Sequence, residues 1–141
     1  MSRHMRAQGG AALVEFALVW PVALLVVLAT VEAAVWSVEA YAARAAALAG
    51  ARAGTVAGGT ASAAAEVARR TLSSSLVGVA AADWCPGGPR PAPEVWVCAV
   101  DRGTGVEVDV GGAAPALVPL VAGGGIPLQA HVILRKETFA P

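Results

Sequence analysis

Few residues in this sequence are of types that do chemistry, and their spacing narrows what that chemistry is. Glu15 is the sole charged group between Arg6 and Glu32, set inside an otherwise apolar run. Cys85 and Cys98 are the two cysteines, in WCPGGPRPAPEVWVC. Their spacing is not that of a zinc hook, and His4 and His131 lie in unrelated segments, so a structural disulfide is the expectation and a metal is not. Glu107 and Asp109 alternate in VEVDV and share one strand face, a position that could hold a cation, although a solvated face is the simpler reading. His131 reads as a half-exposed strand residue. Ser73 to Ser75 have no His and Asp set to activate a nucleophile and read as helix surface. Gly123 to Gly125 lack the Lys and Ser/Thr of a phosphate loop and read as a turn. No acid, base, nucleophile or metal cluster assembles from these residues, so neither an enzyme nor a cofactor is expected.

The elements that must carry these groups divide the chain in two. Of its 141 residues 57% are apolar and 14% charged, too greasy for an ordinary soluble domain, and the excess is concentrated near the start. From Ala11 to about Trp36 the sequence is nearly all Ala, Val and Leu, and roughly 20 such residues cross a ~30 Å hydrocarbon core as a helix. Pro21 interrupts this helix and predicts a kink. Arg3, His4 and Arg6 precede the run, whereas Glu32 and Glu39 follow it, which orients the N-terminus to the cytoplasm and the remainder outside. An exported remainder meets an oxidising compartment, in keeping with the Cys85–Cys98 pairing. Net charge is zero, with ten basic and ten acidic groups, so nucleic acid is not an expected partner.

Residues 1–10 read as a basic leader and 11–53 as the membrane helix with an extension, in which Trp36, Arg44 and Arg52 decorate one side of an Ala-rich rod. Residues 54–141 read as the exported domain. A Gly and Thr loop over 54–63 leads to a second helix ending near Leu76, capped by Thr60 or Ser62. Its expected inner face is Val67, Ala68, Thr71, Leu72, Ser75 and Leu76, with Glu66 paired to Arg70 on the other side. The period then changes to two: EVWVCAV, the turn DRGTG and VEVDV predict a hairpin, and IPLQAHVIL a last strand with Ile126, Leu128, Ala130, Val132 and Leu134 on one side. GGAAPALVPLVAGGG, with Pro115 and Pro119, reads as an apolar loop. The fold class expected is α+β: a long N-terminal transmembrane helix, a second helix and a roughly three-stranded antiparallel sheet.

Read from Gly10, the sequence is a glycine, four small or apolar residues, then Glu15 and Phe16, with the apolar helix continuing behind. This resembles the processing site of type IV prepilins. More closely, GGAALVEFALVWPVALLVVLATVEAA resembles the TadE-like family of minor pilins or pseudopilins of tight-adherence (Tad, Flp) pilus systems, through the Glu15-Phe16 pair, Ala17, Leu18, Pro21 and Glu32. The resemblance spans about residues 9 to 55, and Trp20 departs from the more usual aliphatic residue there. It implies cleavage after Gly10 by a prepilin peptidase, leaving Ala11 as the new N-terminus. It also implies a protein of the bacterial cytoplasmic membrane, with entry into an extracellular pilus and a part in adhesion as further expectations. Its partners would be membrane lipid, other pilins or pseudopilins and the Tad assembly platform.

Physical chemistry agrees with the role the family gives its glutamate. A carboxylate at the centre of a membrane helix costs roughly 2.5–3.5 kcal/mol on insertion scales, and less near the interface. Glu15 lies about one turn in from Ala11 and calls for a cation, which the protonated α-amino group of a freed Ala11 would supply. The resemblance to type IV pilins implies that this glutamate pairs with the N-terminus of a neighbouring subunit and sets the axial register of packed helices. Two other readings stay open: an uncleaved single-pass protein of an envelope or secretion complex, and a secreted module released by signal peptidase near Ala40-Tyr41-Ala42.

Overall fold

The computed structural model describes residues 5–76, 79–116 and 125–136, with side chains from Leu13 onward. The order of elements is α1 (Met5–Thr55), α2 (Ala61–Ser73), β1 (Ala82–Asp83), β2 (Val95–Asp101), β3 (Gly105–Pro115) and β4 (Gly125–Arg135). The fold is α+β, as expected, with one more strand than the sequence suggests. The chain divides into two compact units, Met1–Val35 and Trp36–Pro141.

The first unit is the N-terminal part of α1. Ala, Leu and Val dominate it, and backbone hydrogen bonding within the helix is what lets an apolar segment satisfy its own polar groups. Leu13, Val14, Phe16, Leu18, Val19, Val22 and Leu24 are all exposed, the distribution of a helix apolar all round rather than of one face of a soluble core. By length and composition, α1 is a candidate membrane span. One expectation changes here. The helix includes residues 5–10, so the described part of the basic leader is helical rather than irregular. As expected, the helix runs on past Pro21, although proline has no N–H to offer the Ala17 carbonyl.

In the second unit, α1 from Trp36 onward and α2 lie over one face of the sheet. The helical contribution is almost entirely small: Ala43, Ala46, Ala47 and Ala51 from α1, and Ala64, Ala65 and Ala68 with Leu72 from α2. Arg44 and Arg52 stay exposed on the opposite side of α1, as their spacing predicts. Gly50 and Gly54 set the approach of the two helices. A Cβ on Gly50 would lie 2.6 Å from the Ala64 carbonyl oxygen and 2.7 Å from the Ala68 Cβ. One on Gly54 would lie 2.9 Å from both the Ala64 Cβ and a Val106 methyl. That packing carries α1 on to Thr55 and overturns the reading of a loop from residue 54. Contact with α2 and β3 outweighs the roughly 1 kcal/mol of helix propensity that glycine forfeits.

The link to α2 is accordingly short and turns at Gly58, whose φ is +80°. Thr60 is the N-cap, its hydroxyl accepting from the Ala63 N–H at 3.1 Å. The helix ends at Ser73, a turn earlier than expected, and its buried face is rotated toward Ala64 and Ala65, leaving Ser75 exposed. Glu66 pairs with Arg70 as expected and also with Arg69.

Beneath the helices lies a valine face: Val95 and Val97 from β2, Val106, Val108 and Val110 from β3, then Leu128 and Ala130 from β4. The sheet order is β1-β2-β3-β4. The hairpin forms where DRGTG predicts it, with Gly103 at φ +80° and its N–H donating to Asp101 Oδ1 at 2.8 Å. β3 runs on to Pro115 and pairs with β4 as far as Pro115↔Gly125, so GGAAP is strand rather than loop. Gly111 and Gly112 permit this: Gly111 lies beneath the Trp96 ring, and Gly112, at φ +129°, brings the chain against Glu94, whose carbonyl accepts from the Ala113 N–H at 2.7 Å. The rest of the expected apolar loop, residues 117–124, lies outside the described residues. The strand missed in the sequence, β1, has two residues and runs parallel to β2, too short to show any period.

Candidate functional site

Two groups of residues can act, one in each unit. In the first, Gly10 and Ala11 are part of the α1 backbone, followed one turn later by Glu15 and Phe16. Positions 11 and 15 share a face of the helix, because residues four apart lie nearly above one another. Phe16 stacks on Trp20, with ring centroids 5.8 Å apart, so the residue that departs from the family pattern forms an aromatic pair beside Pro21. Glu15 stands among exposed apolar side chains, where a carboxylate gains most from a cation.

The second group is on the sheet face turned away from the helices. Register places Cys98, Asp109 and His131 in one row across β2, β3 and β4, and Trp96, Gly111 and Gln129 in the next. Parallel pairing of β1 with β2 brings Cys85 to Cys98, and the expected disulfide is formed with the Cα atoms 4.8 Å apart. It ties the start of the segment after β1 to this face. Trp84 meets Trp96 edge to face at 5.6 Å, its indole N–H donating to the Pro89 carbonyl at 2.9 Å. Beside them opens a groove of about 390 Å³ lined by Trp96, Asp109, Gly111, Gln129 and His131 among others.

His131 Nδ1 lies 2.5 Å from Asp109 Oδ1 and 3.7 Å from Glu107 Oε1. The hydrogen bond to Asp109 is the main reason the imidazole is held above its ordinary pKa. Glu107 in turn accepts from Arg102 Nε at 2.5 Å, which holds its carboxyl below the usual range. Sequence reasoning placed Glu107 and Asp109 on one face but treated His131 as unrelated, since 22 residues separate it from Asp109. The alternation in IPLQAHVIL puts His131 opposite to the apolar set, and only the β3–β4 register names its partner.

Among the described residues one apolar helix is long enough to cross a membrane, and a small disulfide-closed α+β unit follows it in the chain, the make-up of the class of proteins anchored by a single N-terminal helix. Within that class the N-terminal segment is specific: residues 10–52 match the family described as TadE-like protein. The match starts at Gly10 and ends inside α1, and the sheet and α2 lie beyond it. No curated protein and no solved structure matches this chain.

Proposed function

We infer that the chain acts in a Tad pilus system, a reading that the TadE-like match supports. We propose that the chain is a minor pilin or pseudopilin of such a pilus, working by assembly and not by catalysis. In this reading α1 holds it in the cytoplasmic membrane with the N-terminus inside and the α+β unit outside. A prepilin peptidase removes residues 1–10, and the new α-amino group of Ala11 pairs with Glu15 of a neighbouring helix. Alanine and glycine along the apolar helix favour close approach of helices in lipid. The observation that carries the reading is the TadE-like match starting at Gly10, with Glu15 one turn beyond Ala11 on an exposed apolar helix.

Mass and N-terminal sequence of the protein recovered from membranes test it. A start at Ala11 is the expected result. A start at Met1 or Ser2 would identify an uncleaved membrane protein, and one near Ala43 a secreted product; either refutes the proposal. Glu15→Ala should still insert and be cut, yet fail to co-assemble with pilin partners. Normal incorporation of that variant would sink the register role of the carboxylate.

A further inference from the structure

We propose that Glu107, Asp109 and His131 form a three-ligand site for a divalent transition-metal cation of the zinc class, on the outer face of the sheet. One ligand atom from each lies within 4.8 Å of the other two. Around a tetrahedral ion bound at about 2.0–2.2 Å, ligand atoms stand roughly 3.3–3.6 Å from one another. The spacings of 2.5 Å and 3.7 Å about His131 bracket that range and the third is at most 4.8 Å, so side-chain adjustments of roughly 1–1.5 Å would close the site.

The choice of cation follows from the donor set. Calcium and magnesium take oxygen ligands, whereas an imidazole nitrogen with two carboxylates suits zinc, cobalt or nickel. Two carboxylates also neutralise the charge of a divalent ion. Glu107 is divided usefully between its neighbours: Oε2 accepts from Arg102, which orients the carboxylate, while Oε1 is the oxygen facing His131. The supporting backbone is rigid, since β3 and β4 pair continuously from Gly105↔Arg135 to Pro115↔Gly125 and Cys98 of the same row is tied by its disulfide. His131 is half-exposed, which supplies an entry path, and the adjoining groove leaves room for water to complete the coordination. None of this depends on the chain being a pilin.

The test is titration of the full chain in detergent micelles with Zn²⁺ alone, read by calorimetry, with Mg²⁺ as the comparison. One Zn²⁺ per chain should bind, with Mg²⁺ producing no saturable heat. His131→Ala and Asp109→Asn should each weaken binding by at least roughly tenfold, while His4→Ala leaves it unchanged. The unsubstituted protein offers a second measurement: Co²⁺ should shift the His131 imidazole resonances before those of His4. Absence of saturable Zn²⁺ binding, binding unchanged in His131→Ala, or a Co²⁺ response confined to His4 would overturn the proposal.

Discussion

Gly112 is the residue whose identity is most tightly constrained by its surroundings. Its φ of +129° is a conformation L side chains rarely adopt, and a Cβ there would collide with the Glu94 carbonyl. Gly112→Ala should therefore destabilise the protein by about 2–4 kcal/mol in denaturant unfolding, combining backbone strain with overpacking. Asp101 carries a smaller, pH-dependent effect. Lys136 Nζ donates to it at 2.6 Å and the Gly103 N–H adds a second bond, so its carboxyl is held below the ordinary 3.8. A depressed acid contributes stability that is fully present above the unfolded value and lost as pH falls through the folded one. Unfolding midpoints followed downward from pH 5 should show an acid-induced decline that is smaller in Asp101→Asn.

At the scale of elements, contact between α1 and α2 rests on the absence of side chains. Alanine and glycine bury little area each, so their contribution is to let the helices and the valine face come close enough for dispersion to accumulate. Gly50→Val puts branched carbon where the Ala64 carbonyl oxygen already lies 2.6 Å from a bare Cβ. The expected loss is at least about 2 kcal/mol, against a change within about 0.5 kcal/mol for Arg52→Gln on the exposed face of the same helix. Equal effects of the two would show that the helices do not pack through Gly50. The sequence displays this stripe as an Ala-rich run without saying which positions face inward. Gly54 looked like a loop residue because its value lies in a contact with β3, more than 50 residues away in the chain.

For the whole molecule, the Cys85–Cys98 bond joins the segment after β1 to the middle of the sheet. Closing a loop of that length contributes about 3 kcal/mol in the chain-entropy account. Reduction with a thiol should lower the unfolding midpoint of the α+β unit without abolishing its sheet signal in circular dichroism. The valine face lies on the other side of the sheet, packed on the helices, and keeps its contacts when the bond is cut. Loss of the sheet on reduction would show that the disulfide, not the core, holds β1 and residues 84–94 in place.

Sequence by itself determined whatever depends on neighbours along the chain. The apolar helix, the Glu15 anomaly inside it, a cap at Thr60 or Ser62, the DRGTG turn and the alternation of the flanking strands are local patterns of hydrophobicity and backbone preference. The cysteine pairing followed from there being two cysteines and an expected oxidising compartment. Tertiary structure alone decided the rest. β1 exists because a two-residue segment finds β2, and GGAAP is strand because β4 lies beside it and Trp96 covers Gly111. Asp109 meets His131 because antiparallel register, set by two whole strands, places residues 22 apart in sequence directly opposite one another.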